Sequence, residues 1–156
     1  MAMVSKMMSA APDRVFEVLA DGWQYAGWVV GSVKVRAVEP GWPAVGSRIH
    51  HAVGAWPMTL KDETQVELCE PGVRLVLVAR GRPLGEARVD IRLETRPAAT
   101  LVTIDEEPVS GPGKWLHNRV LDAFLHARNV EAMTRLASLV EEPTHPSPGP
   151  PRIPSP

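Results

Sequence analysis

The side chains with the most chemistry to offer are His51, Asp62, Thr64 and Glu106. An imidazole titrates near neutrality, so a histidine inside a protein can take a proton from carbon or return one to oxygen. A carboxylate beside it can orient the ring or share the proton. His50 precedes His51, but neighbours on a strand point to opposite faces, so the two cannot grip one ion from one side. Cys69 stands alone, which excludes an internal disulfide and a CxxC site, and no HxxxH or HExxH spacing occurs. We therefore expect no metal and no cofactor. GxSxG and GxxxxGKS are absent too.

The hairpin around residues 46–62 tells which of these groups face inward. A two-residue turn at Gly54-Ala55 sets Val53 opposite Trp56, His51 opposite Met58 and Ile49 opposite Leu60. All but His51 are apolar, so this is the core face and His50 and Arg48 point to solvent. The same alternation carries Asp62, Thr64, Val66 and Leu68 inward, unless a bulge near Lys61-Asp62-Glu63 breaks it. Near the end of the last strand, Val102, Ile104 and Glu106 share one face. Burying His51, Asp62, Thr64 and Glu106 in a dry core would be costly, because buried polar groups must find partners or change ionisation. Around a wet or ligand-filled pocket the cost is lower.

Two readings of His51 follow. It is a general base, with Glu106 as its orienting or acid–base partner, or it is an interior histidine that is merely hydrogen-bonded. Trp23, Trp28, Trp42 and Trp56 fall within 34 residues, and broad aromatic faces suit flat apolar ligands or ordinary packing alike. Trp23, Trp28, Trp56, Met58, Leu60 and Thr64 are the candidate ligand contacts; Trp42, in a Gly-Pro turn, is less suited. Arg80, Arg82 and Arg88, with Glu86 among them, read as a charged solvent face or as an anchor at a pocket rim. Asp105-Glu106-Glu107 reads as an acidic strand end or a cation site. His117 and His126 lie on opposite helix faces, and Ser110 is a candidate helix cap.

The elements that must position these groups are legible from period and punctuation. Residues 3–8 form a strand. Pro12 and Asp13 open a helix that ends near Gly22. The glycine-punctuated aromatic stretch 22–31 is a short second helix or turn. Strands follow at about 33–39, 46–53, 56–70, 73–80, 86–95 and 99–107, separated by Gly and Pro turns. The strict alternation from Ala87 to Glu94 gives one buried and one wet face, the mark of an antiparallel sheet. A helix of roughly 40 Å spans about 114–140, with Leu116, Val120, Phe124, Ala127, Val130 and Ala137 as its apolar stripe. The class is α+β, and one helix over a curved sheet leaves room for a cavity.

The chain has 156 residues, 44% apolar and 22% charged, with a net charge of -1. That balance gives no general attraction to nucleic acid or an anionic membrane. No apolar run is long enough to span a bilayer, and the N-terminal segment lacks the apolar core of a secretory signal. A soluble, cytoplasmic protein of unknown oligomeric state is expected, with one domain over residues 1–142. Residues 143–156 hold seven of the sixteen prolines and read as a disordered tail with polyproline II character.

The segments APDRVFEVLAD, WVVGS, GWPAVGSRIHHAVGAWP, GEARVDIRL and VSGPG, in this order, resemble the polyketide cyclase/dehydrase-like branch of the START-like (SRPBCC) superfamily. The resemblance covers residues 3–140. It implies a helix-grip fold: a seven-stranded antiparallel sheet wrapped around a long C-terminal helix, with two short helices after the first strand. It further implies a deep apolar cavity for a hydrophobic or aromatic small molecule, with Trp23, Tyr25 and Trp28 beside its mouth. Members cyclise polyketides or carry lipids, hormones or quinones, and the superfamily has no universal catalytic motif. The expected function is binding of such a molecule, with cofactor-independent cyclisation or dehydration and non-catalytic carriage as the two versions.

Overall fold

The computed structural model describes residues 2–55, 58–81, 85–112, 115, 119–142 and 147–150. Seven antiparallel strands form one curved sheet: β1 (Ala2–Met8), β2 (Ser32–Val38), β3 (Arg48–Ala55), β4 (Met58–Glu70), β5 (Arg74–Gly81), β6 (Gly85–Arg96) and β7 (Ala99–Ser110). From β2 to β7 each strand pairs with the next, and β1 lies at the far edge beside β7. Between β1 and β2 the chain makes helix α1 (Pro12–Ala20), a 3-10 turn (Gly22–Gln24) and the single-turn helix α2 (Tyr25–Trp28). The long helix α3 (Arg119–Glu141) ends the domain. This is the helix-grip arrangement. Of the terminal segment, 143–146 and 151–156 lie outside the described residues. Ser147 donates its hydroxyl to an Asp21 carboxylate oxygen at 3.1 Å.

Local chemistry explains the turns. Pro12 opens α1 where a missing N–H matters least, with Asp13 in the first turn. The Asp21 amide closes that helix on the carbonyls of Glu17 and Val18. The Asp21 carboxylate then caps the next turn, accepting from the Trp23 amide and from Gln24 Nε2. The outer face of the sheet carries cross-strand ion pairs. Asp90 accepts from Arg74 at 3.0 and 2.9 Å and from Arg92 at 2.6 Å, and Arg88 joins Glu67 to Glu107. Ser110 ends β7 and donates its hydroxyl to Glu86; most residues of the turn it would cap lie outside the described residues.

The β3–β4 hairpin departs from the expected register. Its true pairs are Val53 with Leu60, His51 with Asp62 and Ile49 with Thr64. Pairing continues to Ala55 and Met58, so the turn is not at Gly54-Ala55. The slip is four residues, an even number, so Ile49, His51, Asp62 and Thr64 keep the inward face expected of them. No bulge interrupts Lys61-Asp62-Glu63; the irregularity lies between Val66 and Leu68, where β4 meets β5. There Cys69 pairs with Leu75 and packs against the core, while Leu68 pairs with Val76. The inward assignment of Leu68 is thereby reversed.

Helix α3 corrects a second expectation. Its buried residues are Asn129, Ala132, Met133, Leu136, Ala137 and Val140, an i, i+3, i+4, i+7 stripe confined to its second half. Val120 and Phe124 are 78% and 61% exposed, and Ala127 and Val130 are exposed as well. Leu116 lies outside the described residues. The second half is tied down at its end, where the Arg14 guanidinium donates to the carbonyls of Leu139 and Val140. Leu136→Ala should therefore lower unfolding stability by about 2–5 kcal/mol. Val120→Ala should stay within about 0.5 kcal/mol of the parent. Urea melts of the two variants check the helix face directly.

Candidate functional site

Three elements bring the central group together. The Asp21 cap sets the 3-10 turn and delivers Tyr25 at the start of α2. The alternation of β3 and β4 delivers His51 and Thr64 from the sheet. The Tyr25 hydroxyl lies 2.8 Å from Thr64 Oγ1, and His51 Nε2 lies 3.0 Å from the same oxygen. Thr64 has one hydroxyl proton, so it donates to at most one of these neighbours and accepts from the other. The Tyr25 and His51 rings sit 5.2 Å apart at 30°, and Trp28 meets Tyr25 edge-on at 5.7 Å.

Burial sets the charge of this group. His51 is 2% exposed, and desolvation holds its pKa below the ordinary 6.5, against the opposing pull of Asp62 across the register. Its Nδ1 is buried without a hydrogen-bond partner among the described residues. Burial pushes the Tyr25 phenol up to about 12, with the Thr64 hydrogen bond and the Arg128 charge pulling the other way. At neutral pH both rings are uncharged.

A second group stands beside the first. Glu106, 3% exposed on β7, accepts from Arg128 of α3 at 2.6 Å. His51 and Glu106 thus have separate partners, Thr64 and Arg128. Arg128 is the last residue of α3 before its buried stripe begins at Asn129.

Tyr25, His51, Glu106 and Arg128 line a cavity of about 440 Å³. Val29, Val53, Ala79, Ala87, Leu121 and Phe124 supply apolar wall. Arg80 and Glu86 also border it, paired at 3.2 Å, with Glu63 3.5 Å from Arg80. Gly85, at φ +108°, lies against the end of β7, where a Cβ would run into the Ser110 carbonyl. A smaller space of about 40 Å³ continues behind Tyr25, bordered by Trp28, Glu106 and Arg128.

The residues singled out from sequence divide as follows. His51 and Glu106 are on the cavity wall, as is Leu60, which is 46% exposed. Thr64 lies behind the wall and reaches it through Tyr25 and His51. Trp28 backs Tyr25 and borders only the smaller space. Trp23 is half-buried against the core and Trp42 is buried, its indole N–H donating to the Leu19 carbonyl. Trp56, Arg82 and His117 lie outside the described residues, as does the side chain of Met58. Asp105, Glu106 and Glu107 alternate in facing, and among the described residues no His, Cys, Asp or Glu cluster is placed to hold a metal ion. The sequence reading missed Tyr25 as a central contact, Arg128, and Ser32, a buried cavity residue whose hydroxyl has no partner among the described residues. Arg128 had one signal: it follows Phe124 and Leu125 by four and three residues, on the same side of the helix.

Residues 3–141 match the family model described as polyketide cyclase/dehydrase and lipid transport. The chain belongs to this family. Solved structures share the fold at low identity. Protein CV1439 from Chromobacterium violaceum superposes with a TM-score of 0.65 at 20% identity, over 90% of this chain and 97% of that one. A protein from Arthrobacter aurescens gives 0.70 at 18%, over 90% and 86%. DynU16, from the dynemicin biosynthetic locus, gives 0.61 at 23%, over 90% of this chain but 46% of its own. No curated protein matches the chain. Among the described residues no helix is long and apolar enough to cross a membrane.

The depressed His51 pKa has a measurable consequence. Below about pH 6.5 the unfolded chain binds a proton at this site that the folded chain refuses, so stability falls as pH drops. The loss in urea midpoint between about pH 7.5 and pH 5.5 should be smaller for His51→Gln than for the parent. An equal loss would show that His51 is not held neutral by the fold.

Proposed function

We propose that this family member binds an apolar or aromatic small molecule in the cavity between α3 and the sheet. The observation that carries the reading is the cavity itself: about 440 Å³, largely apolar in its walls, with four polar side chains gathered together. Such a lining orients a hydrophobic ligand through a few hydrogen bonds. The family description and the dynemicin-locus neighbour support a polyketide-like or lipid-like ligand.

A catalytic version is favoured by the neutral, buried His51 and its short connection to the cavity. Closure of a polyketone by aldol addition takes a proton from carbon, forms a carbon–carbon bond and places a proton on the alkoxide; loss of water can follow. In this reading His51 is the base. The proton leaves carbon for the Tyr25 oxygen as Tyr25 passes its own to Thr64 and Thr64 passes its own to Nε2. Each oxygen takes one proton and gives one, and His51 ends as imidazolium. Arg128, held by Glu106, donates to the developing enolate oxygen. The alkoxide is then protonated along the same path in reverse, from Nε2 to Thr64, from Thr64 to Tyr25 and from Tyr25 to the alkoxide oxygen, which returns His51 to its neutral form; Glu106 is the orienting partner that holds Arg128 in place. No cofactor enters any step.

Native mass spectrometry of protein purified from its own host, followed by identification of the retained compound, tests the binding reading. A hydrophobic compound should be retained by the parent and lost from Ala79→Trp, which fills the cavity. Repeatedly empty protein that also takes up no apolar probe would sink the proposal. With a compound in hand, His51→Ala separates the two versions: an enzyme loses turnover while affinity stays within a few-fold, whereas a carrier is indifferent.

A further inference from the structure

Among the described residues, the charged groups on the cavity wall pair off. Glu86 faces Arg80, and Glu106 faces Arg128, while Tyr25 and His51 are neutral. A buried ion pair is a weak source of stability, because desolvating both charges offsets their attraction. The Glu106–Arg128 pair nonetheless borders the cavity of about 440 Å³. An anionic ligand reaching for Arg128 would meet the Glu106 carboxylate. A cationic ligand reaching for Glu106 would meet the guanidinium. A neutral ligand with a hydroxyl next to a carbonyl satisfies both at once, donating to the carboxylate and accepting from the guanidinium. Ser32, also on the cavity and 8% exposed, holds a buried hydroxyl without a partner among the described residues. It is a further neutral group able to meet a ligand oxygen.

We propose that the cavity selects uncharged ligands carrying a hydroxyl and a carbonyl side by side, such as an enolised diketone or an ortho-hydroxyaryl ketone, and rejects carboxylates and phosphates of the same apolar size. The selecting element is the Glu106–Arg128 pair. This rests on the reading of the cavity as a small-molecule site and names the ligand class.

The test uses four probes on the full chain, followed by fluorescence or calorimetry: aminoanthracene, acetylnaphthalene, ortho-acetylnaphthol and naphthoate. Aminoanthracene reports on the cavity alone; its failure to bind would overturn the small-molecule reading and this proposal with it. If it binds, the parent should prefer ortho-acetylnaphthol over naphthoate by roughly tenfold or more. Equal affinity would overturn the ligand class and leave the binding reading standing. Glu106→Gln frees the guanidinium from its counter-charge, so naphthoate should tighten by roughly tenfold and the preference should largely disappear. Arg128→Gln is the second variant, on a half-exposed side chain. It should weaken ortho-acetylnaphthol and acetylnaphthalene alike by roughly tenfold, since both offer a carbonyl to the guanidinium, and leave aminoanthracene unchanged. An unchanged preference in either folded variant, checked by circular dichroism, would remove the pair from the selecting role.

Discussion

The cavity depends on where α3 stops touching the rest of the molecule. From Asn129 onward the helix buries a continuous apolar stripe, and Arg14 holds its last carbonyls. Before Asn129 the same helix shows Val120 and Phe124 to solvent and turns only Leu121, Phe124, Leu125 and Arg128 toward the space beneath. The Glu106–Arg128 contact marks the boundary. On one side of it lies a packed core, and on the other the sheet has curved farther than one helix can fill. A close-packed interior tolerates few voids, and a space of this size between helix and sheet stands out against that packing.

The polar groups at that boundary are arranged so that burial does not leave them stranded. Thr64 serves both Tyr25 and His51 with a single hydroxyl, and Arg128 answers Glu106. Among the described residues, His51 Nδ1 and the Ser32 hydroxyl remain unpaired on the cavity wall, and Asn129 Nδ2 remains unpaired beside the smaller space. Low dielectric magnifies both kinds of group: the paired ones become rigid and the unpaired ones become demanding. A binding site for an apolar molecule with a few oxygens has that character, whether or not chemistry follows.

Much of this was legible in the sequence, for identifiable reasons. Alternation in Ala87–Glu94 and the Gly and Pro punctuation gave the strands their limits, and the quoted segments gave the family. The inward facing of His51, Asp62, Thr64 and Glu106 was readable because strand parity depends on counting alone. The stripe on α3 was not readable, because a spacing near helical period says which residues share a face and not whether a partner covers it. Arg128 escaped, and Tyr25 was placed only at the mouth, because α2 and α3 are distant in sequence and how they pack together is not written in either segment. The irregularity at Val66–Leu68 left no mark in composition, so Leu68 and Cys69 exchanged roles unannounced.

The register of the β3–β4 hairpin bears on how this family can change. Its pairing is shifted by four residues from the one that a turn at Gly54-Ala55 would impose, yet Ile49, His51, Asp62 and Thr64 keep their face. Length variation at the hairpin tip is therefore not neutral in general but comes in two kinds. Gaining or losing residues in twos extends or trims a rim and leaves the interior chemistry in place. A single-residue insertion or deletion absorbed along β4 would turn Asp62 and Thr64 outward and bring Lys61 and Glu63 in. Relatives that remodel this rim to suit ligands of different length have, by this geometry, an even-numbered path open to them and an odd-numbered one closed.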